Sequence, residues 1–370
     1  MDQGRRSEIS DWERRVILTG YSDDMPLCTV SVAQIGGDMG TQNADFCVSE
    51  IPAYLPSGEG DHVYLWIEKT SRNSQDIAKA IEKVFGVSEI DVGYAGKKDA
   101  HAITRQWFSV QTRQNPENAI HQLNELGWMT VLKHSRHTNK LRMGHLRGNQ
   151  FIVNLYGVRA GDADVQKALD EVQMCGFINY FGKQRFGLDA GNVAHGIRVL
   201  TGQKERHQMK KLYISALQSA IFNLSAARRY TEKKFGVETG DVMQKLNAGC
   251  FICDDPKTDQ LRADNGEIAV TLGLPGKRVM QGRQYTAELE QNALTDVLNV
   301  WAEKDNSPGK YDASLINRLA DGSRRLFWVR PGNLSFTRLS GDNISIAFEL
   351  PSGSYATVFL RHLCGSSFTR

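Results

Sequence analysis

Apolar positions along the chain fall into two rhythms. A period of two, expected of a strand with one buried face, recurs in short runs near 45–50, 63–69, 106–112, 129–135, 150–157 and 344–349. Helical spacing separates them. Ile77, Ile81, Val84 and Phe85 share one helix face behind the N-cap candidates Asn73 and Ser74, with Gly86 as the stop. A further helical stretch lies near 116–126, and Val165, Leu169 and Val172 predict another helix over 162–175. Tyr213, Leu217, Ala220, Ile221 and Leu224 mark a long helix over 211–230, followed by short strands near 248–253 and 267–271. Strands interspersed with helices in this way predict an α+β fold built on a mixed sheet. The first 40 residues read as a polar leader, an apolar alternating piece near 27–32 and a glycine-rich exit at Gly36, Gly37 and Gly40, with low order at the extreme terminus.

Composition narrows the picture. A chain of 370 residues with 41% hydrophobic content can bury a large core and has room for two or three domains. The net charge is only +3, so a surface for nucleic acid must be a local patch. The six cysteines lack framework spacing and read as reduced structural thiols. Cys250-Phe-Ile-Cys253 has no second Cys or His pair nearby, which predicts a strand with two buried thiols and no metal. The N-terminus shows no apolar signal region, and no run approaches the roughly 18 apolar residues of a membrane span. A soluble, cytoplasmic protein is expected, and nothing identifies a protein partner.

Three stretches carry candidate chemistry. Gly93-Tyr-Ala-Gly-Lys-Lys-Asp99 sets a carboxylate at the end of a glycine-bearing loop beside two cations. Those cations would keep Asp99 ionised, as a nucleophile or base requires, but a solvated turn has the same composition. The window 131–150 carries Lys133, Arg136, Lys140, Arg142 and Arg147 with three histidines and no acidic residue. Flanked by Trp128 and Phe151, it suits a polyanion with stackable bases, and equally a hairpin that faces water. Asn179-Tyr-Phe-Gly-Lys-Gln-Arg-Phe-Gly187 collects the amides, rings and guanidinium that hold a splayed-out base, although two of its aromatics also fit a core. His62, His101 and His134 read as loop or supporting histidines.

These stretches, together with Leu55-Pro-Ser-Gly-Glu-Gly-Asp-His62, Lys140-Leu-Arg-Met-Gly-His-Leu-Arg-Gly-Asn149 and Pro351-Ser-Gly-Ser-Tyr-Ala-Thr357, resemble the TruD family of tRNA pseudouridine synthases. The motifs follow the family's order from about 45 to 363, which no single one of them would make specific. The resemblance implies a pseudouridine synthase fold, with a mixed, mainly antiparallel sheet and flanking helices, interrupted by a family-specific α/β domain. On that basis an N-terminal extension occupies 1–40, the catalytic domain 41–204 and 330–370, and the inserted domain 205–329.

The implied reaction turns a uridine of tRNA, at position 13 in this family, into pseudouridine. The N1–C1′ bond is cleaved, the uracil rotates, and C5 joins C1′, with no cofactor and no metal. By the same resemblance Asp99 matches the catalytic aspartate and Lys98 the basic residue before it. Asn179 and Phe181 match residues lining the uracil site, while Phe46 and Tyr355 match two substrate-contacting aromatics, the second usually Phe in the family. Arg185 is expected to meet the substrate, and Lys140, Arg142 and Arg147 the RNA backbone. One departure stands out: the lysine that the family commonly carries six residues before Phe46 is Gly40 here. Lys98 or Arg185 is then left to keep Asp99 anionic. Otherwise the chain is a relative that binds RNA, or acts as an RNA chaperone, with altered or lost turnover.

Overall fold

The period-two runs pair into one nine-stranded sheet. Its main path runs Gly332–Arg338, Ile344–Pro351, Leu146–Tyr156, Phe46–Pro52, Ile103–Gln111, His62–Thr70, Met129–His137. Asp38–Met39 joins beside Leu146–Tyr156, and Val92–Tyr94 beside Ile103–Gln111. Phe46–Pro52 and Ile103–Gln111 run parallel, and the other pairs are antiparallel. The computed structural model describes residues 9–28, 34–98, 102–245, 248–307, 311 and 313–368. Within it the chain divides into two units. The sheet unit comprises Val30–Cys175, Arg330–Ala356 and Leu363–Arg370; the helical unit comprises Met1–Thr29, Gly176–Val329 and Thr357–His362.

In the sheet unit the two rhythms meet. Val63, Leu65 and Ile67 alternate onto one face, where Ile77 and Ile81 of the helix Ser74–Phe85 and Ile120 and Leu123 of Glu117–Asn124 cover them. Tyr64 and Trp66 point to the opposite face, beside Trp107. Caps set the helix bounds as the pattern predicts. Asn73 Oδ1 accepts from the Gln75 and Asp76 N–H groups, and Gly86 closes the helix at φ 65°. The helix Asp162–Cys175 also forms as expected.

The helical unit is organised on Lys210–Thr231, with Asn192–Leu200 and Gln284–Lys304 packed beside it. A four-stranded antiparallel sheet accompanies them, in the order Cys250–Ile252, Val242–Lys245, Ile268–Leu274, Ser323–Leu326. Phe177–Ile178 pairs separately with Trp328–Val329. The Arg229 guanidinium, fully buried, meets both oxygens of the equally buried Asp241 carboxylate at 2.7 Å. Such a pair offsets its own desolvation only through this bidentate geometry.

Three features depart from the sequence pattern. The polar leader contains a helix, Asp11–Thr19, capped by Ser10 N–H and Oγ donating to Glu13. Its buried residues are Val16 and Ile17, too short a stripe to show a period among so many charges. Tertiary contacts hold it: Arg228 reaches Glu13 at 2.7 Å, and Trp301 Nε1 donates to the Ile17 carbonyl at 3.1 Å. The long helix Gln284–Lys304 has no counterpart among the predicted elements. Cys253 is buried as expected whereas Cys250 is half-buried, and residues 29–32 of the alternating piece lie outside the described residues. Among the described residues no helix is long and apolar enough to cross a membrane.

His362 gives the helical unit a pH signature. It is buried against Phe177 and Tyr180, and its Nδ1 accepts from the Cys28 N–H at 2.9 Å. Burial, with Arg361 beside it, pushes its pKa from 6.5 down to about 3. Below pH 6.5 the unfolded chain therefore takes up a proton that the folded one refuses. Stability present above that pH is lost as pH falls toward 3, by up to about 1.4 kcal/mol per unit. Urea midpoints measured from about pH 7 to 4 should fall more steeply for the wild type than for His362→Gln; parallel curves would show that His362 is not the group responsible.

Candidate active site

The candidate loop is framed by buried polar side chains. Val92–Tyr94 runs antiparallel to the end of Ile103–Gln111 and leads into residues 95–98. Gly93 is needed where it stands, because a Cβ there would lie 2.2 Å from the Leu141 carbonyl oxygen. Farther on, the Lys98 N–H donates to Ser74 Oγ at 2.9 Å, and Ser74 Oγ donates to Gln106 Oε1 at 2.6 Å. Gln106 Nε2 in turn donates to the Gly96 carbonyl at 3.1 Å. Asp99 lies outside the described residues, as does His101. The frame is described up to the residue before Asp99.

Lys98 is buried, and a strand residue accounts for that. Phe46, Val48 and Glu50 share the inward side of Phe46–Pro52, so the alternation that buries two apolar residues buries a carboxylate as well. The Lys98 ammonium lies 3.7 Å from Glu50 Oε2, with side chains 6% and 0% exposed, and also donates to Asn149 Oδ1. At 3.7 Å the attraction to Oε2 is Coulombic and not a hydrogen bond. Burial pushes the Glu50 carboxyl up, and Lys98 pulls it back without cancelling the effect.

Two other sequence candidates sit on the same unit. Phe46 shows 5% of its surface and packs 5.9 Å from Phe151, which stacks on Phe348 at 5.2 Å. Tyr355 is half-buried, immediately before the helix Ala356–Cys364. Gly40 proves to be tightly packed: a Cβ would lie 2.1 Å from Asp45 Oδ2 and 2.6 Å from the Tyr156 ring. Burial would raise the Asp45 pKa, but hydrogen bonds from Tyr156 Oη, Asn154 Nδ2 and the Gln42 N–H outweigh it and hold the carboxyl below its ordinary value. A lysine at 40 fits only if this carboxylate moves.

Asn179, Phe181 and Arg185 lie on the helical unit and meet around Arg325, from the strand Ser323–Leu326. Arg325 Nη2 donates to Asn179 Oδ1 at 2.8 Å and its Nε to the Asn179 carbonyl at 3.0 Å, while Asn179 Nδ2 donates to the Leu326 carbonyl at 3.1 Å. Both partners are unambiguous, so the amide has one orientation. The Arg325 guanidinium stacks 3.9 Å from the Phe181 ring centre, and that of Arg185 lies 5.6 Å from it. Arg185 Nε donates to Ser219 Oγ at 3.1 Å, and its Nη2 to Ser215 Oγ. The backbone of Phe181 is tied on both sides to the buried Asn223 amide.

In the basic window Arg142 and Arg147 are exposed, and Lys140 donates to the Ile90 carbonyl. His134 is exposed, 3.5 Å from Glu117. His62 is buried, and burial, reinforced by Lys140, holds its pKa below the usual histidine value.

Sequence reasoning missed Ser74, Gln106, Glu50, Asn149 and Arg325. A signal existed for two of them: Gln106 and Glu50 are polar residues in step with the buried positions of a strand. Ser74→Ala would remove the hydroxyl that donates to the buried Gln106 Oε1, which costs about 1 to 3 kcal/mol. The urea midpoint should drop accordingly, and an unchanged midpoint would mean that the hydroxyl holds nothing.

Comparison with known proteins agrees with the motifs. The family model of tRNA pseudouridine synthase D (TruD) matches residues 24–206 and 202–363. The chain is 36% identical over 358 residues to tRNA pseudouridine synthase D of Anaeromyxobacter dehalogenans, covering 92% of this chain and 96% of the relative. It is 34% identical over 343 residues to the protein of that name from Thermus thermophilus, with 91% of each covered. A crystal structure from Methanosarcina mazei bearing the TruD name superposes with a TM-score of 0.69 over 97% of this chain and 98% of the other. At 18% identity that likeness establishes the fold, a mainly antiparallel sheet with helices.

Proposed function

Because the chain belongs to the TruD family of tRNA pseudouridine synthases, we propose that it isomerises the uridine at position 13 of a tRNA, with Asp99 as the carboxylate that acts on the ribose. The observation that carries the reading is the buried frame behind Lys98. Four side chains, Ser74, Gln106, Glu50 and Asn149, fix a loop whose next residue is Asp99. Precision of that kind is what a reacting group needs.

The chemistry is redox-neutral. The N1–C1′ bond breaks, the uracil turns within a closed pocket, the C5–C1′ bond forms, C5 loses its hydrogen to solvent and N1 gains one. A carboxylate either attacks C1′ or assists removal of a proton from C2′. The cation that keeps that carboxylate ionised is Arg185 or Lys98, the latter already paired with Glu50. Asn179 has one Oδ1 lone pair and one Nδ2 hydrogen beyond its bonds to Arg325 and Leu326, which match a carbonyl and the N3–H of uracil. Phe181, Phe46 and Tyr355 supply rings, Arg185 a cation for the target nucleotide, and Lys140, Arg142 and Arg147 contacts to the tRNA phosphates.

The test is tritium release from tRNA transcripts labelled at uracil C5, with variants of U13 as controls. The wild type should release tritium only when U13 is present. Asp99→Asn should release none while binding the same tRNA within about tenfold, since affinity rests on phosphate contacts. Release by Asp99→Asn would remove the carboxylate from its role. Tight binding by the wild type without release would make the chain an RNA-binding relative.

A further inference from the structure

A cavity of about 430 Å³ opens in the sheet unit, lined among others by Tyr54, His137, Asn139, Lys140, Arg142 and His145. Its size falls in the roughly 300 to 1,000 Å³ range of small-ligand sites. The lining holds no carboxylate and two cations. Its histidines are also arranged as donors. The Ser57 N–H donates to His137 Nδ1 at 3.2 Å, and the Arg142 N–H to His145 Nδ1 at 3.4 Å. A backbone N–H cannot accept, so in each neutral ring Nδ1 carries the lone pair and Nε2 the proton. Tyr54 Oη is 2.7 Å from the same His145 nitrogen and donates to it for that reason. The result is a set of cationic and N–H donors, the complement of a phosphate.

The pocket also presents flat surfaces. Tyr54 is half-buried, its ring 5.1 Å from that of His137 at 31° and 5.6 Å from that of His145. A ring beside phosphate donors is how proteins hold unpaired nucleotides. The pocket is joined to the candidate loop: the Gly144 N–H donates to the Ala95 carbonyl at 2.9 Å, three residues before Lys98. Arg147 is exposed on the same unit.

Resting on the function proposed above, we propose that this pocket takes an unpaired nucleotide of the substrate tRNA other than the target uridine, with its phosphate at Lys140 and Arg142 and its base on Tyr54. The pocket acts in substrate recognition and takes no part in bond making. It gives the enzyme a second grip on the RNA next to the reacting loop.

Anisotropy of the full-length protein with a 3′-fluorescein tRNA transcript tests this. Tyr54→Ala should weaken binding about tenfold with no change in salt slope, because a neutral ring releases no counterion. Arg142→Ala should lower the slope by about 0.7 to 0.9. Tyr54→Phe keeps the ring and should recover most of the loss. In tritium release, Tyr54→Ala should lower kcat/KM through KM. Wild-type affinity for both alanine variants would overturn the proposal. Binding of UMP or inorganic phosphate that is lost in these variants while tRNA affinity is unchanged would overturn it too, assigning the pocket to a free anion. Should Tyr54→Ala melt without cooperativity, Tyr54→Leu, which keeps the bulk and removes the aromatic face, takes its place, with the same losses expected and wild-type affinity overturning the proposal. A wild type that binds tRNA without releasing tritium would refute the proposed reaction and leave the pocket standing.

Discussion

The sheet unit depends on one unfavourable placement that a second residue corrects: the Glu50 carboxylate, buried in a strand, beside the Lys98 ammonium. An ion taken from water costs several kcal/mol, and removing one partner of such a pair costs about 3 to 5 kcal/mol because the other charge is left stranded. Glu50 cannot leave, since its strand lies between two others in the sheet. Lys98 must therefore come to it, and the loop from Gly93 follows. Ser74 and Gln106 then satisfy the backbone of that loop, which would otherwise be buried without partners. The helix Ser74–Phe85 looks like scaffold from its apolar stripe, yet its first residue sets the loop.

A separate packing constraint accounts for Gly40. The position is occupied in space by Asp45 and Tyr156, and Asp45 is already satisfied by three hydrogen bonds. No side chain, charged or not, enters there without displacing them. Lys98, paired with Glu50, is the cation adjacent in sequence to Asp99. On the helical unit an arginine plays a comparable part, since Arg325 orients the Asn179 amide and covers the Phe181 ring.

Much of this was legible because the period of the apolar pattern is a direct consequence of burial. The strands at His62–Thr70 and Ile344–Pro351 and the helix Ser74–Phe85 announce themselves through alternation, spacing and caps. The motifs also bring Lys98, Asn179 and Phe181 to notice. What escaped was long-range pairing. Asp11–Thr19 is held by Arg228 and Trp301, more than 200 residues away, and only its ends, Ser10 with Glu13 and then Gly20, signal it locally. Arg325 likewise contacts Asn179 across 146 positions of the chain. Glu50 and Gln106 were visible as polar residues in buried step, but their partners were not.

If Glu50 places Lys98, and through it the loop of Asp99, the two side chains must act as one unit in both folding and turnover. A double-mutant cycle of Glu50→Gln and Lys98→Met, read as single-turnover tritium release from tRNA and as urea midpoint, isolates that coupling. The double variant should lose less than the sum of the singles, with a coupling of about 0.5 to 3 kcal/mol in both readouts. Losses that simply add would contradict this, leaving Glu50 a buried charge with no part in placing the loop.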